Sequence, residues 1–250
     1  MNDSNSSRAA HEIEHGRKLA QHEPEQVWGW GTPAGQIRAA RRADLIISGA
    51  ALGPGKRVLE IGCGTGNFTE KFARSGAQIV AVDISPELLE KARARGLPES
   101  QVRFLAKPFE QCDVDGPFDA VIGSSILHHL DIQPALAKIF ALLKPGSVMC
   151  FAEPNLVNPQ IMIQKNIPWI RKRLGDSPDE TAFVRWPLRR LLLKTGFEGV
   201  MVTPFDWLHP ATPKRMIGAV RATGSILEKA PLLKEFAGSL LIRAGRPASQ

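Results

Sequence analysis

Val58-Leu59-Glu60-Ile61-Gly62-Cys63-Gly64-Thr65-Gly66-Asn67-Phe68-Thr69 passes from a short apolar run through three alternating glycines into the helix-forming stretch Glu70-Lys71-Phe72-Ala73-Arg74. The pattern predicts a strand, a tight turn and a helix N-terminus. Glycine reaches backbone angles that other residues resist and lets a ligand lie against the chain. A helix start adds unpaired N–H groups and the positive end of the dipole, which suit an anion. The dinucleotide fingerprint wants glycines at its first, third and sixth positions. Here the sixth position is Asn67 and the third glycine is Gly66, so the motif is G-x-G-x-G preceded by Glu60. That departure counts against a nicotinamide dehydrogenase.

Downstream, Gln78-Ile79-Val80-Ala81-Val82-Asp83 predicts a second strand ending in an acid. An acid there can accept both ribose hydroxyls of a nucleoside ligand. With Glu60, the three glycines and Asp83 in place, the chain resembles the class I S-adenosylmethionine-dependent methyltransferases. The resemblance covers roughly Val58 to Gly196. It implies an α/β Rossmann-like fold: a mostly parallel seven-stranded sheet, helices on both faces, and helical insertions over the substrate side.

The rest of the chain reads in that frame. At 250 residues it suits one well-buried core, divided here into N-terminal lid helices (1–51), a cofactor-binding core (52–155) and a C-terminal half (156–250). No run reaches the ~18 apolar residues of a membrane span, and the polar start Met1-Asn2-Asp3-Ser4 lacks a signal-peptide core. Residues 1–21 are expected to fray or form a loose helix. Cys63, Cys112 and Cys150 have neither metal-ligand nor disulfide spacing, which suits a reducing cytoplasm. A helix is predicted from Gln36 to Ala51, helix 67–75 after the glycine turn, and a capped helix at Ser85-Pro86-Glu87. Strands follow at Val102–Ala106, Phe118–Gly123 and Ser147–Ala152, with a helix over Pro134–Leu143. A last helix, Trp186–Thr195, ends at Gly196 and precedes hairpin strands Gly199–Thr203 and Ser239–Ala244. Two stretches are surplus to that plan, 156–185 and 205–236, and long insertions in compact domains are usually functional. They are the expected substrate caps.

Ligands of open parallel sheets lie outside the carboxyl ends of the strands. The resemblance therefore assigns the methionine end of S-adenosylmethionine to Glu60, Gly62, Cys63, Gly64, Gly66 and Ser124, the ribose to Asp83, and the adenine to Ile84. The family's acid after strand three is missing. Lys107-Pro108-Phe109-Glu110 stands there, so Glu110, a backbone carbonyl or apolar contact with Pro108 and Phe109 must serve adenine. Arg38 on the preceding helix is expected to reach the methionine carboxylate, as such helices do in relatives. Trp28 and Trp30, among glycines ahead of the core, read either as pins for that helix or as a lid contacting substrate. Methyl transfer from a sulfonium mainly needs alignment, and a base where the nucleophile carries a proton. The candidates are in Ser125-Ile126-Leu127-His128-His129-Leu130-Asp131. Helical neighbours point about 100° apart, so one histidine can face the pocket; His129 is preferred over His128. Glu153 is an alternative base, and Asn155 a substrate anchor. Three ligands within one turn do not converge, so no metal is expected from His128, His129 and Asp131.

The motifs of amino-methylating DNA enzymes, RNA cytosine-C5 enzymes, protein-arginine enzymes and metal-dependent catechol enzymes are absent, as is tyrosine. What remains resembles the broad bacterial group with His-His-Leu after strand four and Glu-Pro-Asn after strand five. Trp169, Trp207 and His209 in the insertions, beside the basic run Arg171-Lys172-Arg173, suggest a hydrophobic or amphiphilic small molecule with a negative group. No specific nucleic acid is expected. The charge is uneven: 15 Lys/Arg against 7 Asp/Glu lie from Leu156 onward, whereas the whole chain is +7. A basic C-terminal third could rest on an anionic membrane. O-methylation of such a metabolite is the first reading. A non-catalytic nucleoside sensor on the same fold is the second.

Overall fold

A computed structural model describes residues 3–170 and 180–248; the run Arg171-Lys172-Arg173 lies outside them. Seven strands form one sheet: β1 (Arg57–Ile61), β2 (Gln78–Asp83), β3 (Val102–Ala106), β4 (Phe118–Ser124), β5 (Leu143–Pro154), β6 (Glu198–Phe205) and β7 (Ser239–Gly245). Their spatial order is β3-β2-β1-β4-β5-β7-β6. The pairs from β3 to β5 are parallel, and β7 runs antiparallel between β5 and β6. This is the expected Rossmann-like, mostly parallel architecture. Chain order reverses between β1 and β4, which opens a crevice at their carboxyl ends.

The central strands are apolar throughout because both faces of the sheet are covered. On one face Leu59, Ile61 and Val121 pack with Leu136 and Ile139 of α6 (Ile132–Leu142) and Leu188 and Leu192 of α8 (Arg185–Thr195). On the other, Val58, Ile79 and Ile122 meet Ala43 and Ile46 of α3 (Pro33–Gly49), Phe72 of α4 (Asn67–Ala73) and Leu89 of α5 (Pro86–Arg93). Two shorter helices, α2 (Pro24–Val27) and α7 (Pro159–Asn166), and α9 (Ile217–Leu227) lie outside this core.

Several boundaries shift for local reasons. α3 starts at Pro33, not Gln36, because Thr32 caps it by accepting from the Gly35 N–H. β5 extends from Leu143 to Pro154, since Leu143 pairs with Phe118 and draws Lys144-Pro145-Gly146 into the strand. α8 ends as expected at Gly196, whose φ of +104° suits glycine. At the N-terminus the helical alternative holds over fraying: α1 (Asp3–Ala20) is an unbroken helix against α5. Gly16 makes the approach possible: a Cβ there would lie 2.7 Å from Ser85 Cβ. A polar segment of low propensity is held by a docking partner.

α2 is tied to the glycine turn by charge. Glu25 accepts from the Thr65 hydroxyl at 2.7 Å and from Arg95 at 2.6 Å, while Arg95 also donates to the Thr65 carbonyl and to Glu70. Within the turn Gly62, Gly64 and Gly66 have φ of +69°, +51° and +76°. Gly62 is doubly constrained, because a Cβ would sit 2.4 Å from Ile126 Cγ1. Gly62→Ala is expected to lower unfolding free energy by about 2–4 kcal/mol, from positive φ plus overpacking. Urea titration measures the loss; an unchanged midpoint would contradict this account.

Candidate functional site

A cavity of about 440 Å³ opens at the carboxyl ends of β1 to β4, within the ~300–1,000 Å³ range of small-molecule sites. Its walls are Ile61 and Gly62 after β1, Val82, Asp83 and Ile84 after β2, Lys107 to Gln111 after β3, and Ile126, His129 and Leu130 after β4. α1 closes it with Arg8, Ala9 and Glu12. The crevice thus brings together Gly62, Asp83, Ile84, Pro108, Phe109, Glu110 and His129 from the sequence reading.

Asp83 is set by its neighbours. Oδ2 accepts from the Gly64 N–H at 2.7 Å and Oδ1 from the Ser85 N–H at 2.9 Å. Each carboxylate oxygen has a second lone pair for a ligand. Burial raises the carboxyl above its usual range, and the two N–H bonds oppose that shift. Glu60 behaves differently. It is 1% exposed, its Oε2 has no hydrogen-bond partner, and burial pushes the carboxyl up to about 8. It underlies the turn and is not among the residues that line the cavity. The Cys63 side chain is likewise buried in the core, where burial pushes its thiol up, and Gly64 and Gly66 are also outside the cavity wall.

The loop after β4 is held from beneath. Ser125 has φ of +58°, a costly angle for a residue with a side chain. Arg42 restrains it: its guanidinium donates to Ser125 Oγ and the Ala152 carbonyl at 3.0 Å each, and to Ser239 Oγ at 2.5 Å. Burial is the main reason that its pKa falls to about 10. Glu153, fully buried, accepts from the Ile126 and Leu127 N–H groups at 3.0 and 2.9 Å and contacts His128 Nδ1 at 2.6 Å. The other nitrogen of His128 lies 3.4 Å from Glu180, which also pairs with Lys165. Against burial, the bonds to these two carboxylates push His128 up to about 9. Burial raises the carboxyls of Glu153 and Glu180, but His128 holds both below their usual range. His128 and Glu153 therefore form a buried ion pair away from the cavity, and neither is placed as a base.

His129 faces the cavity, with Nδ1 3.1 Å from Glu12 Oε2 on α1. His128, His129 and Glu180 bring ligand-type atoms within 4.8 Å of one another. Glu153 on His128 and Lys165 on Glu180 account for this group as an ion-pair network.

Other expected site residues have different work. Arg38 donates to Asp206 at 2.8 Å beside Trp30, away from the cavity. Ser124 receives Arg42 at 3.3 Å and does not line the cavity. Trp30 packs edge-on to Phe68, its centroid 5.4 Å away, with Arg42 over its ring; it pins α3. The Trp28 ring stands against Gly64, 3.4 Å from where a Cβ would be. Asn155 is spent on the Glu235 and Ala237 carbonyls. Trp169 is 65% exposed. Trp207 lines a separate cavity of about 110 Å³ with Arg38 and Glu228, and His209 meets Gln160 at 2.8 Å. No described residue of 156–185 or 205–236 lines the cavity at the strand ends.

Arg8, Glu12 and Glu180 escaped the sequence reading, and Arg42 was passed over there in favour of Arg38. Arg8 and Glu12 carried a signal, lying four apart and so on one helix face. Arg42 sits on the same stripe as buried Ala39 and Ile46, an anomaly a wheel would flag. Glu180 carried none.

Residues 58–146 match the family model for a methyltransferase domain. Over 118 residues the chain is 39% identical to the ubiquinone biosynthesis O-methyltransferase of Xanthomonas campestris pv. campestris, covering 46% of this chain and 49% of that one. A protein of the same description from Xylella fastidiosa is 36% identical over 127 residues, 47% of this chain and 51% of that one. The chain thus spans about half the length of the curated relatives it matches. Its fold is similar to the N-methyltransferase NodS from Bradyrhizobium japonicum, solved with S-adenosyl-L-homocysteine, at TM-score 0.64 and 17% identity over 95% of this chain and 99% of that one. It is also similar to the [4+2]-cyclase SpnF, at TM-score 0.63 and 22% identity over 94% and 96%. The segment from β1 into β5 thus matches a methyltransferase-domain model in sequence, and the sheet as a whole is similar in fold to solved methyltransferases.

Glu60 makes stability depend on pH in a definite direction. Its folded pKa of about 8 exceeds the ordinary carboxyl value of 4.5. Its contribution is full below 4.5, falls as pH rises and is lost through about 8. Glu60→Gln should flatten that decline. Thermal unfolding across this window checks it, and parallel curves for both proteins would refute it.

Proposed function

We propose that the chain is an S-adenosylmethionine-dependent methyltransferase that O-methylates a hydrophobic or amphiphilic small molecule, with His129 as the general base. The cavity at the strand ends carries this reading, since acid, apolar slot and histidine meet there in the order the cofactor and acceptor require. The names of the half-length relatives, O-methyltransferases of ubiquinone biosynthesis, support the acceptor class.

The residues present fit the cofactor. Asp83 keeps lone pairs for the two ribose hydroxyls. Ile84, Pro108 and Phe109 form an apolar wall for adenine, with Glu110 and the loop backbone beside it. Gly62, bare of a side chain, lets the methionine portion run close to the backbone. When bound, the cofactor supplies an electrophilic methyl group on a good leaving group. The protein's task is then alignment, worth about 7–11 kcal/mol in favourable cases. α1 excludes water from above, and His129 takes the proton from the acceptor hydroxyl as its oxygen attacks. Glu12 lies 3.1 Å from Nδ1 of that ring, and a carboxylate beside it favours the imidazolium that forms.

Purified protein with methyl-labelled S-adenosylmethionine and an extract of its source cells should place label in the organic-soluble or small-molecule fraction. Label confined to protein or nucleic acid would refute the acceptor class, and cofactor binding without any transfer would favour a sensor. His129→Gln should lower kcat by about 10²–10⁴-fold while calorimetry shows unchanged cofactor affinity. Retention of full kcat would remove His129 from the chemistry.

A further inference from the structure

The two insertions carry a surface that the methyl-transfer site does not use. Segments 156–185 and 205–236 are about a quarter of the chain. Among the described residues they hold eight of the twelve exposed large hydrophobic side chains. Ile226, Leu232, Leu233 and Phe236 lie along the end of α9 and the turn that follows it, with Leu232 82% exposed. Met162 and Ile163 project from α7. The two segments run side by side: Asn158 Nδ2 donates to the Phe236 carbonyl at 2.8 Å, and Gln160 meets His209. Exposed apolar residues of this density mark an interaction surface.

The charges around them are sorted by sign. Every described acid of these segments is drawn into an ion pair: Asp206 with Arg38, Glu228 with Arg41, Glu235 with Arg185 and Glu180 with Lys165. Lys214, Arg215, Arg221, Lys229 and Lys234 have no ion-pair partner among the described residues. The outward charge of these segments is therefore almost wholly positive, and it accompanies exposed side chains that are mostly aliphatic (Met162, Ile163, Ile226, Leu232 and Leu233, with Phe236). No described helix is long and apolar enough to cross a membrane. Apolar side chains rimmed by unpaired cations match the interfacial zone of an anionic bilayer, with aliphatic tips among the acyl chains and ammonium groups at the headgroups.

We infer that the surface formed by α7, the end of α9 and the turn at Leu232–Phe236 docks this protein on anionic lipid bilayers. It does so independently of whether methyl transfer is its activity. In this arrangement Leu232 and Leu233 enter the interface while Lys229 and Lys234 meet the headgroups.

Co-sedimentation of the full chain with vesicles of phosphatidylglycerol and phosphatidylcholine, against phosphatidylcholine alone, tests it. Binding to the anionic vesicles only, weakened by salt, is expected. Lys229→Gln with Lys234→Gln should weaken partitioning by about thirtyfold, at about 1 kcal/mol per charge, and Leu232→Ser with Leu233→Ser by at least about tenfold. Both double variants should keep wild-type melting temperature and cofactor affinity, which separates a lost surface from a lost fold. Absence of binding at low salt overturns the proposal, as does binding that neither variant changes. A dimer in light scattering that Leu232→Ser with Leu233→Ser dissolves would assign the patch to a second copy. Lysine-dependent binding of single-stranded RNA without vesicle binding would assign it to nucleic acid.

Discussion

The Glu153 carboxylate, without exposure at the end of β5, constrains the loop end of the sheet where the cavity opens. A buried charge must be paired and hydrogen-bonded or it is prohibitively costly. Glu153 is satisfied by two consecutive backbone N–H groups and by the His128 ring. Those bonds settle the path of the loop after β4. Ser125 must then take a left-handed angle, and Arg42 holds it there through the loop's hydroxyls and the β5 backbone. Ile126 is set against Gly62, which binds the loop to the glycine turn. Only after these steps does His129 face the cavity. Its neighbour His128 is given over to structure.

Neighbouring charges on one helix have been divided in the same way. Arg38, Arg41 and Arg42 all leave α3, yet none lines the cavity at the strand ends. Arg38 and Arg41 clamp the insertion between β6 and β7 through Asp206 and Glu228. Arg42 joins the helix to the ends of β4, β5 and β7. The lid over the cavity is instead α1, which packs on α5 through Gly16. Its contacts include the small-residue approach at Gly16, the Arg17–Glu87 pair at 3.4 Å and the Glu12–His129 pair at 3.1 Å.

Fold and chemistry rest on different parts of the chain. The domain match ends at residue 146. Both insertions lie beyond it, and the same architecture is similar to both an N-methyltransferase and a cyclase. Architecture alone does not choose the reaction. The cavity's own side chains and the surface around it carry that choice.

The sequence by itself determined the architecture and much of the lining of the crevice at the strand ends. Alternating apolar runs, turn glycines and an acid after β2 act locally: a G-x-G-x-G turn or a strand's last residue needs only its neighbours and the sheet. Hence Gly62, Asp83, Ile84, Pro108 and Phe109 were legible with the strands that carry them. Tertiary structure alone decided which charges serve the site. Arg38 and Arg42 differ by one helical turn, and His128 and His129 by one residue, yet one of each pair is distinguished only by what lies opposite. Those partners, Asp206, Glu153, Glu180 and Glu12, are distant in sequence. The cost of burying a charge depends on such long-range neighbours, which no local spacing encodes.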